Sequence, residues 1–161
     1  MRLSQIIIIV ITGIIFNSCQ KTFNAPVDAT IKKVAELKAT INGVQFVSEL
    51  AGAVRRSDAI ISIAGKSNDG KFIAFTLVDS GVHLYKLDMK SNVNFCGYED
   101  NGLAFSSHEG INPGDSGGTL AITQIDPISK TMSGTFNIVV FRQLGRIQRM
   151  ISDGIFNNIP Y

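Results

Sequence analysis

One stretch of the chain carries residue types suited to nucleophilic chemistry: Gly114-Asp115-Ser116-Gly117-Gly118. A serine flanked by glycines can sit where neighbouring backbone N–H groups point at a developing oxyanion. Such a serine needs a base, and the base needs a group to orient it. His83, followed by Asp88 or Asp100, precedes Ser116 in the order such a set would need. The other reactive types are thinly spread. His83 and His108 are isolated, with no second ligand at metal spacing, so neither a metal nor a cofactor is expected. Cys96 lies in the strand-like Asn94-Phe95-Cys96-Gly97-Tyr98 with no base beside it, and reads as a small buried hydrophobe. Six of the nine aspartates, at 69, 79, 100, 115, 126 and 153, fall in turn signals where the carboxylate caps local backbone. A paired-carboxylate site therefore has no support.

The Gly-Asp-Ser-Gly-Gly string resembles the one around the nucleophile of chymotrypsin-like proteases. That fold closes two β-barrels, and this chain has too few strands for both. His83 and Ser116 are too near in sequence to come from separate barrels, and Thr119 follows where the motif usually has Pro. Asn112-Pro113-Gly114-Asp115-Ser116-Gly117 holds the favoured turn residues, so the stretch reads as a loop. A hydrolase using Ser116 is kept as the alternative function.

The N-terminus gives the strongest signal. Arg2 precedes an apolar run from Ile6 to Phe16 that ends in Asn17-Ser18-Cys19. A basic start, roughly 7–15 apolar residues and a small residue before a break describe a secretory signal. The run is too short to span a bilayer, which takes about 20 residues. Phe16-Asn17-Ser18-Cys19 resembles the lipobox of bacterial lipoproteins, with Ser18 as the small residue before the cysteine. Phe16 and Asn17 depart from the commoner Leu-Ala/Ser. The resemblance implies a signal peptide over residues 1–18 and an acyl anchor, palmitate included, on Cys19. Two or three chains hold where one is marginal, because each buried CH₂ contributes about 0.8 kcal/mol. Residues 19–35 then read as a tether.

Composition sets the remaining bounds. Residues 36–161 suit one domain, large enough to need no staple. The formal charge of +2 becomes +1 once Arg2 leaves with the signal, which gives no case for nucleic acid. With Cys19 acylated, Cys96 has no partner for an internal disulfide. The chain has no Trp and three Tyr, which weakens a carbohydrate-binding reading based on aromatic platforms.

From Leu37 onward the apolar period is two. Leu37, Ala39 and Ile41 alternate with polar residues, and Asn42-Gly43 marks a hairpin into Val44-Gln45-Phe46-Val47. Residues 59–64 and 72–78 are apolar on both faces and are expected to be central. Further strands are expected at 82–87, 93–98, 103–107, 119–125, 132–141, 146–151 and 155–159. Asn68-Asp69-Gly70, Asp79-Ser80-Gly81, Asp100-Asn101-Gly102, Asp126-Pro127, Leu144-Gly145 and Asp153-Gly154 separate them. This spacing predicts an all-β domain, an antiparallel β-sandwich of about nine or ten short strands, with a lipocalin-like up-and-down barrel as the alternative.

Several segments together resemble the small lipoproteins of unknown function common in the Bacteroidota. They are the lipobox, Ile41-Asn42-Gly43, Ser133-Gly134-Thr135-Phe136 and the ending Gly154-Ile155-Phe156-Asn157-Asn158-Ile159-Pro160-Tyr161. The resemblance implies a β-sandwich-like domain and an envelope address, and no activity. Gly134 in a strand suggests a bulge or a close backbone approach. Phe136, Ile138 and Val140 would face the core together, and Pro160 suits the end of an edge strand.

The expected function is a non-catalytic binding or structural module of the cell envelope. It would be held to the membrane through Cys19, at the outer membrane and facing the periplasm, and would bind an envelope protein or a small ligand. A lipocalin-like carrier of an apolar ligand is a further alternative. The expected binding loops are 51–58, with Arg55 and Arg56, and 109–118, with Glu109, Asn112, Asp115 and Ser116. Arg142, Arg146 and Arg149 flank another turn and, like Arg55-Arg56, are read as a solvated face, with a basic patch for an anionic partner as the alternative.

Overall fold

The computed structural model describes residues 34–56, 59–78, 81–90, 93–110, 112 and 117–161. The expected signal peptide, Cys19 and the expected tether up to residue 33 lie outside the described residues, as do Asp115 and Ser116. Among the described residues there are eleven β-strands and no helix. They are β1 (Glu36–Ile41), β2 (Val44–Val47), β3 (Leu50–Arg55), β4 (Ile60–Lys66), β5 (Phe72–Val78), β6 (Leu84–Lys86), β7 (Phe95–Asp100), β8 (Leu103–Ser106), β9 (Gly118–Asp126), β10 (Thr131–Arg142) and β11 (Ile147–Pro160).

All the pairings are antiparallel and form one sheet, ordered β2-β1-β11-β10-β8-β7-β5-β4-β3. A branch, β6-β9, joins it along β10. The all-β reading holds, as a curled half-barrel. The curl has a visible cause. The two end strands of the path, β2 and β3, are consecutive in sequence and meet at Ser48-Glu49. The Ser48 amide donates to the Leu37 carbonyl at 2.8 Å, and the Glu49 amide donates to the Lys66 carbonyl at 2.9 Å. Adjacent residues thus bond to strands near opposite ends of the path, which bends the sheet onto itself. The Ser48 hydroxyl fixes this corner by donating to the Leu50 carbonyl at 2.6 Å.

Asn42-Gly43 and Asn101-Gly102 are two-residue hairpin turns with all four φ angles positive, at 47°, 84°, 51° and 78°. Their sequence was legible because asparagine and glycine tolerate that region best. The alternation was legible for the same kind of reason. Leu37, Ala39 and Ile41 are buried, as are Phe136, Ile138 and Val140. Inward residues fill the interior, and the Phe75 and Phe136 rings meet at 4.9 Å and 60°. A fully buried ring or branched chain of this kind contributes about 1.5–3 kcal/mol relative to exposure.

Three expectations are corrected. Residues 51–55 are not loop but most of β3, paired from Leu50↔Lys66 to Arg55↔Ile61. Ala51-Gly52-Ala53 shows no alternation of polarity because its inward residues are small and only partly buried. Asp153-Gly154 is not a turn between two strands. It lies within β11, which runs through 14 residues. Register passes from Phe136↔Gly154 to Ile138↔Ile151, so β11 bulges there, with Asp153 at φ 52° and its amide donating to Asn137 Oδ1 at 3.0 Å. The same device recurs at Asn158, φ 51°, whose amide donates to Ser133 Oγ at 3.0 Å. Pro160 ends a strand as expected, but β11 lies between β1 and β10 and is not an edge.

Candidate binding cleft

The inner face of the curled sheet is packed along its length and opens at one end. There β7, β11, the β1–β2 hairpin and the start of β5 surround a cleft of about 330 Å³. Its lining is mixed: Ile41, Val44 and Phe46 on one side, Asn42 and Gln45 on the rim, and Lys71, Tyr98, Asp100 and Arg149 among them. Alternation explains the placement. Cys96 and Tyr98 point inward on β7, and Asp100 follows them at the end of the same stripe. Ile151 points inward on β11, so Arg149 does too, one step nearer the opening.

The charges are held in specific pairings. The Asp100 carboxylate accepts from Asn101 Nδ2 at 2.8 Å and lies near enough to the Tyr98 phenol to act on its charge. Burial first, then the charge of Asp100, push the Tyr98 phenol up to about 12. The Arg149 guanidinium lies 5.0 Å from the Phe105 ring centroid, and that ring packs on Tyr98 at 5.8 Å. Lys71 is ion-paired with Asp69, which also accepts from Ser67. The Lys71 ammonium foremost, with the Ser67 hydroxyl, holds the Asp69 carboxyl down at about 2, and Asp69 in turn raises Lys71. A second hollow of about 250 Å³ continues past Gln45, Phe46 and Lys71 toward Glu49 and Asn68.

The cleft therefore offers an apolar wall, a tyrosine floor, two cations and a carboxylate within one opening. That is the makeup of a site that orients a small ligand by a few polar contacts. A family model described as "Domain of unknown function (DUF6252)" matches residues 33–160. The chain belongs to this family. No curated protein and no solved structure matches it.

In this DUF6252 domain the residues singled out from sequence lie elsewhere. Arg55 and Arg56 sit at the β3–β4 turn, and Glu109 follows β8. The registers β3–β4, β4–β5, β5–β7 and β7–β8 put both at the end of the sheet opposite the cleft. Arg55 reaches inward, its guanidinium 6.0 Å from the Tyr161 ring centroid. Asn112 is exposed. The two histidines are occupied locally: His83 stacks on Tyr85 at 4.0 Å, and His108 Nε2 bonds the Asn94 carbonyl at 2.9 Å. Among the described residues no group of three or more His, Cys, Asp or Glu is placed to hold a metal ion.

The last two glycines of Gly-Asp-Ser-Gly-Gly have a packing reason. A side chain on Gly117 would meet the Leu87 carbonyl oxygen at 2.0 Å, and one on Gly118 the Asn137 carbonyl oxygen at 2.1 Å. The Gly117 carbonyl accepts from the Val139 amide and that of Gly118 from the Leu87 amide. Both residues are wedged between neighbouring strands where only glycine fits. Sequence reasoning missed Lys71 and Tyr98, gave Asp100 only a turn role or a place beside Ser116, and set Arg149 on a solvated face. The available signal was the inward phase of Tyr98 and Asp100 on one strand and of Arg149 on another.

Proposed function

We propose that this chain is a lipid-anchored envelope protein whose β domain binds a small ligand, or an exposed group of a larger envelope component, in the cleft around Tyr98. The observation that carries the binding reading is the cleft itself: Arg149 and Lys71 face an opening floored by Tyr98 and walled by Ile41, Val44 and Phe46. Inward-pointing charges at the mouth of a half-barrel are costly to keep unless they are paired or meet a partner. Lys71 is paired with Asp69, whereas Arg149 rests on the Phe105 ring and donates from Nη1 to the Gln148 carbonyl at 3.1 Å, which fixes the guanidinium with its other N–H groups toward the opening. The anchor reading rests on the signal-like N-terminus and Cys19. An outer-membrane position facing the periplasm follows from Gln20, since it is not an inner-membrane retention aspartate and no acidic export run follows it. The resemblance to small Bacteroidota lipoproteins agrees with that address. In this reading the domain is non-catalytic, and Gly117 and Gly118 serve packing rather than an oxyanion hole.

Native mass spectrometry of the full-length protein released from membranes in mild detergent tests the binding role. The wild type is expected to carry a discrete non-covalent mass that Arg149→Glu loses. A variant lacking residues 109–116 should keep it. Retention by Arg149→Glu with loss from the loop deletion would move the site to the opposite end of the sheet. Bare protein in all three would remove the ligand-binding reading.

A further inference from the structure

A second surface stands apart from the cleft, on the outer face of β3, β4, β5, β7 and β8. The inner residues of β4, β5 and β7 are mostly buried and those of β3 only partly, and the alternate residues point outward. A sheet with one face in water normally alternates apolar-in with polar-out. This face does not. Leu50 is 74 % exposed and Val54 62 %, while Phe72 and Phe95 are exposed at 37 % and 39 %. Its only charged positions are Lys66 and Glu99, both exposed.

The register arranges these residues in cross-strand rows. One row runs Leu50-Lys66-Phe72-Glu99-Ala104. The next runs Gly52-Ala64-Ala74-Gly97-Ser106, and the third runs Val54-Ser62-Thr76-Phe95, with no paired residue on β8 to match Val54. In the first row Lys66 and Glu99 stand one strand to either side of Phe72. A two-fold axis along β5 therefore brings Lys66 of one molecule over Glu99 of another, twice. The same operation sets Leu50 over Ala104 and Phe95 over Ser62, large over small, with the row of Gly and Ala between them allowing close approach. Charge and bulk are both self-complementary under one operator, as an isologous interface requires.

We propose that this outer face is the docking surface for a second copy of the chain, packed sheet on sheet about a two-fold axis along β5. Because the sheet is curled, its outer face is convex, and the two copies stand closest along β5, with the facing strands there about 10 Å apart. The surface lies on the opposite side of the sheet from the cleft, so ligand entry and pairing are compatible. Each copy buries Phe72 and Phe95, which are otherwise in water.

Cross-linking of the full-length protein in its own membranes tests this. Facing backbones about 10 Å apart are too far for a disulfide, whose Cα atoms lie at most about 7 Å apart. A short bis-maleimide is therefore applied to Ala74→Cys. It is expected to give a product of twice the chain mass, while Ser129→Cys, on the β9–β10 turn, and the wild type do not. Thr76→Cys on the same strand serves if Ala74→Cys accumulates poorly. Lys66→Glu should lower the dimer yield severalfold, and Lys66→Glu with Glu99→Lys should restore it. Monomer alone from both β5 cysteines overturns the proposal. So does a product of another mass, which would mean that a different protein covers the face, or a yield indifferent to the charge swap.

Discussion

The Phe136 ring lies directly against Gly154 on the neighbouring strand, so close that a side chain at 154 would meet ring carbons at 2.3 Å. Two residues along, the arrangement is reversed. Phe156 lies against Gly134, where a side chain would meet the ring at 2.4 Å and the Ala121 carbonyl oxygen at 2.1 Å. Each glycine vacates the space that the opposite ring fills, and the two pairs lock the register of β10 on β11 between the two bulges. This gives a physical reason for the Ser-Gly-Thr-Phe strand and the Gly-x-Phe ending.

Gly154→Ala and Gly134→Ala are expected to destabilise the domain by about 1–3 kcal/mol each through overpacking. Gly134→Ala should cost more, because it also meets backbone. Denaturant midpoints measure both. Phe136→Leu should recover part of the Gly154→Ala loss, and strict additivity of the two would argue against the interlock.

Tyr98 sets an alkaline limit on stability. Its pKa rises from 10.0 to about 12 on folding, so the folded state holds its proton where the unfolded chain has lost it. The contribution is complete below pH 10 and declines as pH rises from there to about 12. The slope of unfolding free energy against pH should be negative across that window and flatter in Tyr98→Phe. An unchanged slope would remove the assignment.

Cys96 is fully buried, and burial alone pushes its thiol far above the usual range. A thiol reagent should leave it unmodified in the folded protein and react only as the domain unfolds. Rapid modification under native conditions would contradict its placement.

Two labelling experiments bear on the sequence-derived expectations. Radiolabelled palmitate should enter the wild type and not Cys19→Ala, and equal labelling would remove the anchor. A fluorophosphonate probe should leave the protein unlabelled. Labelling abolished by Ser116→Ala would put the hydrolase reading first.

Much of the fold was legible because it is written locally. Period-two apolar runs located β1, β2 and β10, a run apolar on both faces located β5, and Asn-Gly pairs located two hairpin turns. β3 was missed because Ala51-Gly52-Ala53 carries no polarity pattern. β11 was split because Asp153-Gly154 has the composition of a turn, and only its partners on β1 and β10 make it a bulge. The cleft was not legible for a related reason. Tyr98 and Asp100 share a strand, but Lys71 and Arg149 come from separate segments brought together by long-range register. Asp100 itself reads as a turn aspartate and serves both roles, accepting from Asn101 at the hairpin and setting its charge beside Tyr98 at the cleft floor.

The cleft around Tyr98, and not the loop containing Ser116, is where we propose that this protein meets its ligand or partner. The most direct measurement is photocross-linking in intact cells, with a benzoyl-phenylalanine placed at exposed Gln45 on the cleft rim or at exposed Glu109 at the other end. A discrete adduct is expected from Gln45 that disappears when Arg149→Glu is added, and none from Glu109. An adduct from Glu109 alone, or one from Gln45 that is unchanged by Arg149→Glu, would contradict it.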